Sequence, residues 1–172
     1  MEKMDGFAGQ RMQVVPRPVV QRELGNPLTK RMMVTDAGYF PAALHHSRVR
    51  TAGSPELVVI VPERGAGWLT TPHQRLALGP GQVAVIPPGL PHAYGADSAD
   101  PWSIWWAHLT GSEIVPYCAE LAVTPEQVVL PVRNWEPLSQ AISQAITSLS
   151  RGVDRPQLLA AGAAGWQLLG AL

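Results

Sequence analysis

The chain has 172 residues, which is enough for one domain with a substantial core but short for two. Its 13 basic and 13 acidic side chains give a formal net charge of zero, so it lacks the excess of Lys and Arg that a nucleic-acid surface requires. Charged residues make up 15% of the chain and hydrophobic residues 46%, which excludes a self-repelling disordered chain.

No stretch approaches the roughly 20 apolar residues of a membrane span, and Met1–Gly6 lacks the apolar run of a secretory signal. The single cysteine, Cys118, excludes an internal disulfide and the Cys-pair zinc motifs. We therefore expect a cytoplasmic domain with no membrane contact. We also expect Cys118 to pack within a short helix over residues 112–121.

Residues 1–30 show little periodicity, and Pro16, Pro18 and Pro27 interrupt any helix that begins there. We interpret this segment as an N-terminal arm or loose lead-in.

Residues 31–133 consist of short β-rich runs separated by Gly and Pro. The predicted strands are Arg31–Thr35, His45–Arg50, Leu57–Val61, Trp68–Thr71, Arg75–Leu78, Val83–Ile86, Trp102–Leu109 and Val128–Val132. Eight closely spaced strands predict a small β-barrel or jelly roll.

Residues 134–172 change to helical periodicity and predict an antiparallel helix pair, so the fold class is mainly β with C-terminal helices. The recurring positions are Leu138, Ile142, Ile146 and Leu149, and then Leu158, Gly162, Gly165, Leu169 and Leu172. Asp154 and Gln157 resemble a capping box at the start of the second helix. The small residues of that helix favour either packing on the barrel or a dimer contact around Leu158, Leu169 and Leu172. The pattern is still in phase at Leu172, so we expect the protein to continue beyond it.

The segment Gly79–His92 reads as a turn, an alternating strand, a Pro/Gly turn and a histidine. It resembles the second signature of the cupin superfamily, with Gly81, Pro87, Gly89 and His92 at the four fixed positions. Ala96 stands where that signature ends in Asn. The first cupin signature, with two histidines one residue apart followed by Glu, is missing, because His45 and His46 are adjacent. This departure argues against metal-dependent cupin catalysis.

Three further segments extend the match, namely Arg50–Gly53, Arg64–Leu69 and Tyr94–Asp97, and the stretch Pro101–Gly111 completes it. Their order and spacing resemble the N-terminal effector-binding and dimerisation domain of AraC-type transcription regulators, over about residues 35–172. The resemblance implies a cupin barrel that is not an enzyme, needs no cofactor and forms a homodimer. It also implies that DNA is bound only through a C-terminal domain missing from this chain.

The resemblance further implies a small-molecule effector, a sugar or related metabolite, held by Arg50, Tyr94 and Trp106. Ile104 stands where the sugar-binding member has a histidine. The loss of that hydrogen-bonding group is compatible with a different or less polar ligand. Thr35 matches a threonine near the start of the barrel only loosely.

The chemistry of these residues fits such a role, because an aromatic ring can cover the apolar face of a sugar and a guanidinium supplies a fork of donors. Strand alternation places Ile104, Trp106 and His108 on one face, and likewise His46, Arg48 and Arg50. We expect one of the two arginines to be a surface group, and we favour Arg50 for the pocket.

An alternative is a metal-dependent cupin enzyme, an isomerase or dioxygenase, in which His46, His92 and His108 converge on Zn or Fe. A third reading is a carbohydrate- or metabolite-binding module without a regulatory role. We favour the sensor, with no metal and with His92 as a rim or turn residue of the ligand pocket.

Overall fold

The computed structural model describes residues 3–172, which form ten strands in two antiparallel sheets together with four helices. The larger sheet has the order β1 (Arg11–Val14), β2 (Met33–Phe40), β9 (Ser103–Thr110), β4 (Leu57–Arg64), β7 (Gln82–Ile86) and β10 (Val129–Pro131). The smaller sheet has the order β3 (Ser47–Arg50), β8 (His92–Ala96), β5 (Gly67–Thr70) and β6 (Arg75–Leu78). The helices are α1 (Arg17–Leu24), α2 (Ile114–Glu120), α3 (Glu136–Ser150) and α4 (Arg155–Gly170).

Each face of the six-stranded sheet is buried against a different layer, as β4 illustrates. Leu57, Val59 and Val61 belong to the core shared with the helices, whereas Val58 and Ile60 belong to the core shared with the four-stranded sheet. Because successive side chains of a strand point to opposite faces, one apolar run supplies two cores.

Small residues allow α4 to lie close to β2. A Cβ atom on Gly162 would lie 3.0 Å from the carbonyl oxygen of Met32, and one on Gly165 would lie 3.1 Å from a methyl group of Val34. The packing interpretation of these residues is therefore confirmed. The capping prediction is confirmed as well, since the Asp154 carboxylate accepts a hydrogen bond from the Gln157 amide at the start of α4.

Two of the three residues predicted for dimerisation are used inside the chain. Leu158 and Leu169 are each 1% exposed and pack in the core between the helices and the six-stranded sheet. They are thus unavailable to a second copy, and only Leu172 is partly exposed. The error arose because periodicity identifies the apolar face of a helix without showing which element covers it.

The prediction that prolines prevent a helix before residue 30 is wrong. Pro16 is the N-cap residue of α1, Pro18 lies in its first turn, and Pro27 follows its end, so none of them removes an internal hydrogen bond. The lead-in is also not loose, because β1 pairs with β2 from Arg11 opposite Tyr39 to Val14 opposite Asp36.

The barrel followed by a helix pair is confirmed, and each of the eight predicted strands corresponds to an observed one. Strands β1 and β8 are additional. The short helix around Cys118 is present as α2, with the thiol side chain buried. Across residues 3–172, no helix combines the length and the apolarity needed to cross a bilayer.

Candidate functional site

A cavity of about 330 Å³ lies between the two sheets, next to β1 and the start of α1. This volume is at the lower end of the range for small-molecule sites, about 300–1,000 Å³. Its walls combine aromatic and aliphatic side chains with ionisable ones: Asp5, Met12, Val14, Arg17, Asp36, Phe40, His46, Arg48, Val49, Arg50, Ile60, Tyr94, Ile104, Trp106 and His108. Six of the eight predicted ligand-binding residues are therefore brought together here.

An arc of aromatic rings forms one wall of the cavity. Trp106 lies next to Phe40 with ring centroids 5.3 Å apart, Phe40 lies 5.3 Å from His46, and His46 lies 5.8 Å from Tyr94. Gly38 makes room for the indole, because a Cβ atom there would lie 2.5 Å from a ring carbon of Trp106.

The indole N–H of Trp106 is a donor without an acceptor. Its Nε1 atom is buried and has no hydrogen-bond partner within residues 3–172. An indole nitrogen can only donate, and a buried donor is costly when unsatisfied. The atom is therefore a candidate contact for a ligand acceptor.

Both arginines of β3 are half-buried and line the cavity, and Arg48 also contacts the exposed Met4. They are two residues apart and share the inner face, with Arg48 opposite Tyr94 and Arg50 opposite His92 on β8. The Arg50 Nη1 atom donates to the Tyr94 hydroxyl at 2.9 Å. This bond fixes both side chains at the cavity wall.

His46 is the buried ring of the aromatic arc that precedes the two arginines in the chain. Its Nδ1 atom accepts a hydrogen bond from the Trp102 indole at 3.3 Å, which places the ring proton on Nε2. Burial, together with the positive charges of Arg48 and Arg50, lowers the pKa of His46 to about 4. The ring is therefore neutral at pH 7.

A β-bulge shapes the opposite, acidic end of the cavity. The register between β2 and β9 shifts between Val34 and Asp36, so Thr35 is the inserted residue and Asp36 faces His108. Thr35 does not line the cavity, being fully buried, but its hydroxyl donates to the Asp36 carboxylate at 2.8 Å. Its role is to position Asp36, which sequence reasoning did not identify.

Asp36 belongs to a compact charged cluster with Arg17, Glu56 and His108. The Arg17 guanidinium bridges Asp36 at 3.0 Å and Glu56 at 2.7 Å, and His108 Nδ1 lies 3.5 Å from Asp36. Burial alone would raise the pKa of Asp36, but His108, Thr35 and Arg17 outweigh it and hold that pKa below its usual value. The cluster thus largely satisfies its own charges.

His92 lies behind the wall rather than in it. Its Nδ1 atom donates to the carbonyl of Leu90 at 2.7 Å, and its ring is stacked on Tyr94 at 5.9 Å. Burial lowers the pKa of His92 as well. The residue therefore supports Tyr94 from outside the cavity.

Two turns with positive φ lock the arginine and tyrosine strands together. A Cβ atom on Gly53, after β3, would lie 2.5 Å from the backbone of Gly89, before β8, and the Gly89 amide donates to the Ser54 carbonyl at 2.8 Å. Only glycine allows this approach without strain, which explains the Gly residues of both sequence motifs.

The three-histidine metal site of the alternative hypothesis is not assembled. Among residues 3–172, no three His, Cys, Asp or Glu side chains are placed to hold one metal ion. His46 instead contacts Trp102, His92 contacts Leu90, and His108 faces Asp36.

The cavity residues that sequence reasoning missed come mainly from the N-terminal segment and from β2. Met12, Val14 and Arg17 reach the cavity only because β1 pairs with β2. The period-two pattern of β2 could have suggested Phe40, but the bulge that redirects Asp36 has no sequence signal.

Comparison with known proteins agrees with this architecture. Residues 39–169 match the family model described as the AraC-like ligand binding domain. The MmsAB operon regulatory protein of Pseudomonas aeruginosa is 29% identical over 101 residues, covering 56% of this chain and 33% of that protein. The match thus spans about a third of the length of this relative.

Among solved structures, the AraC-like transcriptional activator CuxR is 14% identical with a TM-score of 0.46, covering 84% of this chain and 52% of that one. A cupin 2 conserved barrel domain protein from Salinispora arenicola is 17% identical with a TM-score of 0.41, covering 70% and 90%. Since the family model matches well over half of its residues, this chain belongs to the family of AraC-like ligand binding domains.

Proposed function

We propose that this domain senses a small-molecule effector in the cavity between its sheets, as the regulatory part of an AraC-type transcription regulator that works in the cytoplasm. DNA binding would belong to a separate C-terminal domain, since the chain lacks the net excess of Lys and Arg that a nucleic-acid surface requires. A non-catalytic role is favoured by the regulatory relative and by the charged cluster, whose members bind one another.

One observation carries this proposal. The cavity of about 330 Å³ joins a wall of aromatic rings in contact with one another to polar groups whose bonding capacity is unused, above all the Trp106 indole N–H. Pockets of this composition hold ligands by apolar contact and fix their orientation with a few polar groups. A sugar or a related metabolite fits this description.

The effector would act by favouring one arrangement of the N-terminal segment and the helices over another. Helix α1 is suited to this coupling. Arg17 near its start lines the cavity, and Glu23 near its end is bound by Arg155, the first residue of α4, at 3.2 Å. A ligand that moves Arg17 would therefore also change the contact between Glu23 and Arg155 of the helix pair.

Dimerisation would use the outward face of α4 rather than the buried leucines. Leu159 and Trp166 are 37% and 38% exposed and flank a groove that also contains Ala163. Exposed apolar side chains that line one groove together form the kind of patch that marks a protein interface. Sedimentation of the chain and of Trp166→Glu checks this, and a monomer in both cases would contradict it.

A binding screen tests the sensor. We expect at least one compound from a panel of sugars, sugar acids and small organic acids to raise the melting temperature, because a ligand at 100 times its Kd stabilises by about 2.7 kcal/mol. Trp106→Ala should abolish this stabilisation, and the matched control Trp135→Ala, outside the cavity, should retain it. Equal stabilisation of both variants would contradict the assigned pocket, and stoichiometric Zn, Fe or Mn in the purified protein would favour the enzyme.

A further inference from the structure

The cavity contains more hydrogen-bond donors than acceptors. Arg48, Arg50 and Trp106 present groups that can only donate, and the Tyr94 hydroxyl, which accepts from Arg50, has its own hydrogen left to donate. The acceptor at the other end, Asp36, is already bound by Arg17 and Thr35. A ligand that satisfies this wall must supply acceptors.

The donor wall is also positively charged. Within residues 3–172, none of the ion pairs closer than 4.0 Å involves Arg48 or Arg50. Asp5 lies at the cavity lining too, but beyond that distance from either guanidinium. Arg17, by contrast, is neutralised by two carboxylates. Two guanidinium groups on one inner strand face therefore lack a counter-charge.

The lowered pKa of His46 reflects burial together with the same positive charges. This histidine precedes the arginines by two and four residues, and their charges add to burial in disfavouring its protonated form. A neutral His46 leaves the positive charge of this wall to the arginines alone.

The geometry points to an effector that carries a carboxylate, bound by Arg48 and Arg50 together with the Tyr94 hydroxyl, with its apolar body against Trp106 and Phe40. This inference rests on the proposed function and names the chemical class of its ligand. Guanidinium forks match carboxylates in shape and charge, and such charge-assisted bonds are about twice as strong as neutral ones.

The volume limits the size of this acid. At about 30 Å³ for each water in the liquid, a cavity of about 330 Å³ has the volume of about ten water molecules, which is room for a small ligand. Small aliphatic, aromatic or hydroxy acids fit this limit, whereas long-chain fatty acids and nucleotides do not.

Matched pairs of acids and neutral analogues test the inference by calorimetric titration of the full chain. The pairs are isovalerate and isovaleramide, benzoate and benzamide, and lactate and lactamide. We expect an acid to bind at least about tenfold more tightly than its neutral analogue, as the loss of a charged hydrogen bond predicts. The margin should disappear in Arg48→Gln and Arg50→Gln.

Arg75→Gln is the control for these variants, because Arg75 lies on β6 outside the cavity and its loss removes the same charge. Tyr94→Phe tests the hydroxyl without changing the charge. We expect Arg75→Gln to retain the full margin and Tyr94→Phe to retain most of it.

The failures of the two proposals are distinguishable. If neutral compounds bind in the cavity as tightly as the acids, or if an acid binds equally well to Arg50→Gln and Arg75→Gln, the carboxylate inference is wrong and the sensor stands. If no compound of either charge binds in this panel or in the wider screen, both are wrong.

Discussion

The two faces of the six-stranded sheet differ in chemistry although the same strands build them. Along β9, Ala107 and Leu109 face the helices and are buried in a layer made mainly of apolar side chains. The intervening residues Ile104, Trp106 and His108 face the cavity, where polar atoms remain unpaired. The helix face is fully packed, whereas the cavity face has polar atoms without hydrogen-bond partners in the part of the chain that the structure describes.

This difference separates stability from recognition. Apolar burial against α3 and α4 stabilises the fold without leaving a polar group to satisfy. On the cavity face, buried polar atoms reduce stability unless a partner binds them. Substitutions on the two faces should therefore affect different measurements.

The largest effect is expected from Leu109→Ala, because Leu109 is fully buried on the helix face. Its loss should lower the free energy of unfolding by about 2–5 kcal/mol, measured by urea denaturation, with little change in ligand affinity of the folded protein. The comparison is Trp106→Ala, three positions earlier on the cavity face. This change should lower the ligand affinity strongly and the free energy of unfolding less. Similar profiles for the two variants would mean that the faces do not divide these roles.

The cavity face should also make stability depend on pH. The pKa of His46 falls from 6.5 to about 4 on folding, so the unfolded chain binds more protons between these values. The contribution of His46 to the free energy of unfolding should therefore decrease by about 3 kcal/mol as the pH falls from 6.5 to 4. Below pH 4 the loss should continue through carboxylates whose pKa is lowered in the fold, among them Asp36. Urea denaturation across this range measures it.

His46→Gln should reduce this dependence, leaving the contributions of His92, whose pKa is also lowered by burial, and of carboxylates such as Asp36. His73→Gln, a change at an exposed histidine, should leave the slope as in the wild type. An unchanged slope in His46→Gln would show that His46 is not the titrating group.

The sequence predicts which side chains of a strand share a face. It does not predict which distant residues contact that face. Period-two spacing correctly grouped Ile104 with Trp106 and His46 with Arg50. It could not show that Arg48 lacks a carboxylate, because ion pairs depend on residues distant in the chain. It also could not reveal the bulge at Thr35, which inserts one residue without any special residue type.

The helices show the same limit. The periodicity of α4 predicted its apolar face, including Leu158 and Leu169, but the close approach of Gly162 and Gly165 to β2 determines that this face is covered within the chain. At α1, the sequence interpretation treated the prolines as helix breakers. They lie at the ends of the helix, where proline is tolerated.

Gly38→Ala sharpens the comparison with an intermediate effect. A Cβ atom there would lie 2.5 Å from the Trp106 ring, so the indole must shift toward the cavity. We expect a loss of about 1–3 kcal/mol in stability, as for other overpacked sites, and a weaker affinity for the ligand. Gly170→Ala is the control, since nothing lies within 4 Å of its added carbon, and it should preserve both. Unchanged binding by Gly38→Ala would mean that the placement of Trp106 is not critical.

The smallest effect is expected where α1 joins the two faces. Arg17 reaches the cavity, Val20 packs in the helix-side core, and Glu23 is bound by Arg155 of α4. In a double-mutant cycle with Glu23→Gln and Arg155→Gln, we expect a coupling energy of up to about 1 kcal/mol, because the Arg155 side chain is half exposed. Added salt should reduce it.

The same cycle in the presence of a bound ligand decides whether α1 transmits the occupancy of the cavity. If the ligand displaces Arg17 and with it the helix, the Glu23–Arg155 coupling must change on binding, because the two ion pairs lie on one short helix. A coupling that is the same with and without ligand would place transmission elsewhere, and the two faces of the sheet would then respond independently.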